Sequence, residues 1–196
     1  MTQPRPQIVL ASTSPFRREL LSRLSIPFET LAPEVDESPL PGETPEALVQ
    51  RLSEAKARAG ATRFPNALLI GSDQVAVVDG EVLGKPGDHA RAVGQLRKLS
   101  GRTVHFFTGL CLYNGATDTA DTRLVSFRVR FRELDEGRIE RYLRQEQPYN
   151  CAGSFKSEAL GITLFERMEG EDPTALIGLP LITLTTLLAR AGVELP

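Results

Sequence analysis

The stretch LLIGSDQ, residues 68–74, sets an aspartate at the end of an apolar run. In α/β proteins the carboxyl ends of strands are where ligands collect, so Asp73 is a candidate for handling water beside a bound substrate. The following residues, GEVLGKPGD (80–88), nearly spell a phosphate loop but lack its design. Only three residues separate Gly80 from Gly84, and Lys85 is followed by Pro86, which has no N–H and turns Lys85 away from helical geometry. Val75, Val77 and Val78 before Asp79-Gly80, with Val82 and Leu83 after, predict a tight hairpin instead. Lys85 remains a candidate phosphate contact on that hairpin.

Three more stretches carry charge that could act on phosphate. LASTSPFRREL (10–20) has the form strand, hydroxyl-rich turn, helix start, so free backbone N–H groups and the helix dipole converge with Ser12, Thr13 and Arg17. The same pattern also describes an ordinary helix capped by Ser14, with its arginines in solvent. In the helix expected over residues 45–59, Leu48, Val49, Leu52, Ala55 and Ala59 mark the inner face. At about 100° per residue Lys56 falls within that arc, so it either snorkels to the edge or meets an anion. EVDE (34–37) follows another expected strand, and oxygen ligands without histidine suit Mg²⁺ or Mn²⁺ completed by substrate phosphates. Read alone, it is equally a solvated acidic loop.

The elements that must position these groups interleave. Strands are expected at 8–11, 28–32, 67–70, 74–83 as the hairpin, within 103–131, and at 163–168. Helices are expected at 15–24, 45–59, 89–99, 134–144 and 181–191. Alternation of this kind predicts a single α/β domain over 1–196, a central mixed sheet flanked by helices. The composition, 41% hydrophobic and 24% charged over 196 residues with a net charge of −2, offers no whole-molecule attraction to nucleic acid or to an anionic membrane. No stretch has the length and apolarity of a membrane span or a signal peptide, so the cytoplasm is the expected compartment. Cys111 and Cys151 are expected as buried free thiols, and His105 as a structural residue.

The ordered set LASTSPFRRELL, EVDE, RLSEAKA, IGSDQ, GEVLGKP, LRKLSGR, AGSFKSE and GLPL resembles the Maf family of nucleotide pyrophosphatases from residue 8 to residue 190. The resemblance implies a Maf/ITPase-like fold with a cleft between two lobes, and a homodimer in many members. It implies hydrolysis of a nucleoside triphosphate to a monophosphate and pyrophosphate with a divalent metal. By that likeness Asp73 is the proton acceptor, Glu37 the acidic loop residue beside the metal, and Ser12, Arg17, Lys56 and Lys85 the phosphate contacts. Asp73 could equally hold the metal itself.

Three positions depart from the commonest pattern of the family, which goes with dTTP and UTP. Phe16 stands where that pattern has arginine, Gln74 where it has threonine, and Glu158 where it has glutamine. They resemble the branch acting on 7-methyl-GTP. A cationic methylated base favours the face of Phe16 over an arginine, Glu158 could accept from the guanine N1–H and N2–H edge, and Gln74 could read a base carbonyl or fix Asp73. The arginine missing at 16 leaves Arg18 or Lys156 to compensate. The alternatives are a pyrophosphatase for dTTP, UTP or other modified nucleotides, and a nucleotide-binding regulator of cell division without catalysis.

Overall fold

The computed structural model describes residues 6–195. Seven strands form one mixed sheet, ordered β2-β1-β3-β5-β6-β7, with β4 paired on β3. β1 (Ile8–Ala11) runs parallel to β2 (Glu29–Leu31) and to β3 (Leu68–Val78). Antiparallel pairings join β3 to β4 (Glu81–Leu83) and β5 (Thr103–Asn114), β5 to β6 (Thr119–Phe131), and β6 to β7 (Phe165–Glu169). The expected mixed α/β architecture is therefore observed. Among the described residues no helix is long and apolar enough to cross a membrane.

One expectation is corrected. Asp73 does not end a strand: β3 continues unbroken through it to Val78, and Asp73 pairs with Gly109 of β5. What ends is the neighbour. β1 follows β3 only as far as Ile70, and β4 takes up the same edge only at Ala76. From Gly71 to Val75 that edge of β3 has no strand beside it. By the rule that ligands gather beyond a strand's carboxyl end, the strand whose end is open here is β1.

Helices fall on both sides of this gap. α1 (Pro15–Ser22) and α5 (Leu181–Arg190) cover the β1 half of the sheet, where Leu20, Leu21, Ile70, Leu110 and Leu184 are fully buried together. α3 (His89–Leu99) and α4 (Glu136–Glu146) cover the other half, around Leu96, Phe106, Phe131 and Ile139. α2 (Pro45–Arg58) lies across the opposite face, its Leu48, Val49 and Leu52 packed on Val75 and Val77.

Local signals account for most boundaries. Ser14 and Thr44 cap α1 and α2, each accepting a backbone N–H from three residues on, and each is followed by proline in the first helical position. Asp79 and Gly80 both adopt positive φ, 49° and 79°, as a two-residue hairpin turn requires. α4 starts at Glu136 behind an Asp135 cap, two residues later than expected, and β7 starts at Phe165 because Leu160–Leu164 forms a 3-10 turn.

Candidate active site

The gap along β3 opens into a cleft of about 700 Å³, within the range that holds a small-molecule ligand. Strand alternation gives its floor two faces. Asp73 points toward α2, and Gln74 to the opposite side.

On the α2 side, Lys56 is 5% exposed, and its Nζ donates to Asp73 Oδ1 at 2.6 Å. The same ammonium lies 2.7 Å from Glu37 Oε1, on the irregular segment between β2 and α2. The inner-face reading of Lys56 thus resolves as an ion pair with two carboxylates, not as snorkelling. Contact with Lys56 holds the Glu37 carboxyl below its usual value, with burial opposing and the charges of Arg17 and Lys85 adding. A lysine can reach so short a distance because α2 lies flush on the sheet. A Cβ at Gly71 would stand 2.0 Å from the Ser53 carbonyl oxygen, and one at Gly109 would stand 2.1 Å from that of Val49.

On the other side, the amide nitrogen of Gln74 donates to the carbonyls of Ala175, at 2.6 Å, and Leu176, and to Thr108 Oγ1. The donor end is therefore committed to Thr108 and the 3-10 turn Pro173–Ile177. Gln74 thus takes neither role expected of it, reading a base carbonyl or fixing Asp73, and only its Oε1, an acceptor, is left for a ligand. Arg17 leans on the same segment, its Nε donating to Gly178 O at 2.8 Å. Desolvation lowers the Arg17 pKa while Asp73 and Glu37 oppose the shift, and a guanidinium stays charged throughout. Gly178 has φ 118°, a conformation other residues rarely adopt, and this turn aims its carbonyl at Arg17 and at the Ser72 hydroxyl.

Ser12 is buried and accepts from Ser14 N at 3.1 Å, so the start of α1 forms one wall of the cleft. Phe16, half-buried and without an aromatic partner among the described residues, lines the cleft and is not plain core. Lys85 is exposed at the rim and makes no ion pair among the described residues. Glu158 is an exposed rim residue whose carboxylate accepts from Ser157 Oγ. Asp73, Glu37, Lys56, Lys85, Ser12, Arg17, Phe16, Gln74 and Glu158 thus line one cleft, whereas Glu34 and Asp36 of the acidic stretch do not.

Neither proposed substitute for the lost arginine is free at this site. Lys156 lines the cleft but donates to Glu146 at 3.0 Å. Arg18 is turned outward beside Ser22 and Phe28, away from the cleft. His105 is exposed, stacks on Phe107 with ring centroids 6.4 Å apart, and does not line the cleft. One further expectation is corrected in part. Cys111 is fully buried, its thiol pushed up to about 11, whereas Cys151 is only half-buried and lines the cleft. Both are free thiols.

Sequence reasoning missed Asp172, a 2%-exposed acid that accepts from Thr174 Oγ1 and from Thr183 N. It ties the start of α5 to the turn that holds Gln74 and Arg17. Asp-Pro-Thr is a capping pattern that could have drawn attention to it.

The donor set bears on a metal. No group of three or more His, Cys, Asp or Glu side chains is clustered among the described residues. Asp73 and Glu37 face one another across a single ammonium, and each has a second carboxylate oxygen. One or two carboxylates completed by phosphate oxygens is how Mg²⁺ is commonly held, so these residues fit a hard divalent ion and do not suit a softer one.

The family model described as "Maf-like protein" matches residues 7–191. A protein of Nitrosococcus oceani named 7-methyl-GTP pyrophosphatase is 58% identical over 95% of this chain and 94% of its own length. Proteins with the same name from Thiobacillus denitrificans and Pseudomonas aeruginosa are 59% and 56% identical, covering 99% and 97% of this chain and 96% and 100% of their own. A match of this extent includes both walls of the cleft and the strand edge between them: the chain belongs to the Maf family.

Proposed function

We propose that this protein hydrolyses 7-methyl-GTP to 7-methyl-GMP and pyrophosphate, using Mg²⁺ or Mn²⁺ held by Asp73 and Glu37. The observation that carries the reading is a buried lysine shared by two carboxylates at an unpaired strand edge, facing a helix N-terminus. It joins groups that hold phosphate to groups that handle water. The names of the relatives at 56–59% identity support the substrate.

In this mechanism water attacks the α-phosphorus in line and pyrophosphate leaves; Asp73 either takes the proton of the water or, as a metal ligand, orients it. Lys56 holds Asp73 in place through its 2.6 Å contact, and has a third N–H for a phosphate oxygen. Arg17, Lys85 and the positive end of the α1 dipole, next to Ser12, stabilise charge growing on the phosphates. A divalent ion, when bound, supplies further neutralisation of the triphosphate and lowers the pKa of water. Phe16 offers a π-face to the cationic base, worth roughly 0.5–2 kcal/mol. Glu158 offers a carboxylate, and Gln74 an acceptor oxygen. The reading keeps free nucleotides as substrates, the cytoplasm as compartment and a homodimer as assembly.

Pyrophosphate release from 7-methyl-GTP, GTP, dTTP, UTP and CTP, with and without Mg²⁺ or Mn²⁺, tests the reading. Metal-dependent turnover led by 7-methyl-GTP is expected, and Asp73→Asn should abolish it. Preference for dTTP or UTP would remove the roles given to Phe16 and Glu158 while keeping the enzyme class. Binding without turnover on any of the five would favour a regulator.

A further inference from the structure

Two separate segments meet across the cleft's outer half. One, Gly84–Asp88, carries Lys85 between β4 and α3, and the other, residues 147–158, carries Glu158. Neither contains a strand or an α-helix, yet the two must keep a fixed distance if one ligand is to touch both.

Gln95, in the middle of α3, reaches both at once. Its Nε2 donates to Gly84 O at 2.9 Å, and its Oε1 accepts from the hydroxyl of Ser154. The orientation of the amide is determined by chemistry, because the Gly84 carbonyl can only accept and must face the nitrogen. Ser154 is fully buried and holds φ 63°, a left-handed conformation unfavourable for serine. The backbone there is bent so that the hydroxyl meets α3. Beside it, Phe155 is buried among Phe106, Phe131 and Phe165 with ring centroids 5.0–5.5 Å apart, which anchors the second segment to the same lobe. A second tie lies further out. Gly87 N donates to Tyr149 O at 2.9 Å, and His89 at the start of α3 contacts Tyr149 Oη at 3.0 Å and Glu140 at 3.1 Å.

We infer that Gln95 is a positioning residue, a two-ended strut that sets the spacing between the phosphate lysine Lys85 and the base-side wall carrying Glu158. The inference rests on the nucleotide pyrophosphatase reading. It goes beyond that reading by giving the substrate's length, from base to phosphate, to a residue that touches no substrate. A strut acts only while both ends hold. Cutting either end therefore loses the whole effect, and cutting both loses no more.

Gln95→Met removes both contacts at nearly constant volume. Ser154→Gly removes one end and relieves the left-handed backbone, so the fold is retained. Kinetics of 7-methyl-GTP hydrolysis should show KM raised roughly tenfold in each variant, and by the same factor in the double variant. The inhibition constant of pyrophosphate, which engages only the phosphate side, should not move. Effects that add, a response to only one substitution, or equal weakening of pyrophosphate would overturn the strut. The labelling rate of Cys151 by a thiol reagent reads the same tie without catalysis, since Cys111 is fully buried. Both variants should label faster by one common factor. An unchanged rate would overturn the inference even if wild-type protein turned over none of the nucleotides.

Discussion

An ammonium wedged between two carboxylates makes Lys56 the residue on which the site's electrostatics depend. With Asp73 8% and Lys56 5% exposed, removing the cation leaves a buried carboxylate uncompensated. Lys56→Met should destabilise the metal-free protein by about 3 kcal/mol, the scale of a broken buried pair. Adding Mg²⁺ should narrow that gap, because the proposed metal would take the place of the lost charge. Urea unfolding of both proteins with and without Mg²⁺ checks this, and an equal gap in both conditions would count against Asp73 and Glu37 as metal ligands. The inward aim of Lys56 was legible from helical arithmetic alone, because its apolar neighbours define the buried arc. What it meets there was not, since Asp73 is 17 residues away on another element. Gln74 was harder still. Its amide is held by carbonyls about a hundred residues along the chain, and no local pattern announces a partner at that separation.

Lys56 reaches Asp73 only because α2 sits unusually close to the sheet, and two glycines on adjacent strands permit that approach. Gly109→Ala would drive a methyl into the Val49 carbonyl, which is backbone and cannot turn aside. The helix must shift, at a cost of about 2 kcal/mol, an ordinary figure for overpacking. Because Lys56 moves with the helix, kcat should fall further than the loss of folded protein explains; a fall in stability with kcat intact would separate the glycine from the site. The loop that brings Glu37 to Lys56 is pinned from its other end. Arg51 of α2 donates to both oxygens of Glu43, at 2.6 and 2.8 Å, and to Ser38 O. The pairing holds Glu43 at about 2 against an ordinary 4.5. A lowered carboxylate stabilises above its unfolded pKa and loses that contribution as pH falls toward its folded one. The stability gap between wild type and Glu43→Gln should therefore be constant above pH 4.5 and close toward pH 2. A gap that does not change with pH would mean that the pair contributes nothing to the fold. At this scale most of the architecture could be read from caps, turn residues and periodicity. The exception is β3, where the aspartate looked like a strand end: a polar residue interrupts the apolar pattern, and the sequence cannot show that the neighbouring strand is the one that stops.

The sheet belongs to both halves of the molecule, whereas the cleft exists only between them. β3 and β5 run through both hydrophobic clusters, yet the walls of the cleft come from α1 and β1 on one side and from residues 147–158 on the other. A ligand that touches both walls binds only when both halves are folded, so its binding energy acts on the whole chain. With 7-methyl-GMP and metal at about a hundred times the dissociation constant, mass action adds about 2.7 kcal/mol. For a chain of this size that is a rise in Tm of roughly 5–10 °C. Thermal unfolding followed by two probes should keep a single transition as it rises. With Tyr113 replaced by phenylalanine, Tyr142 and Tyr149 report the α3–α4 half, and far-ultraviolet circular dichroism reports the whole. Pyrophosphate alone reaches the phosphate side and should raise Tm less. If the nucleotide product moved one probe and left the other behind, the two walls would be stabilised separately. The cleft would then be two subsites on independent halves, and a substrate spanning them could not be what holds the molecule together.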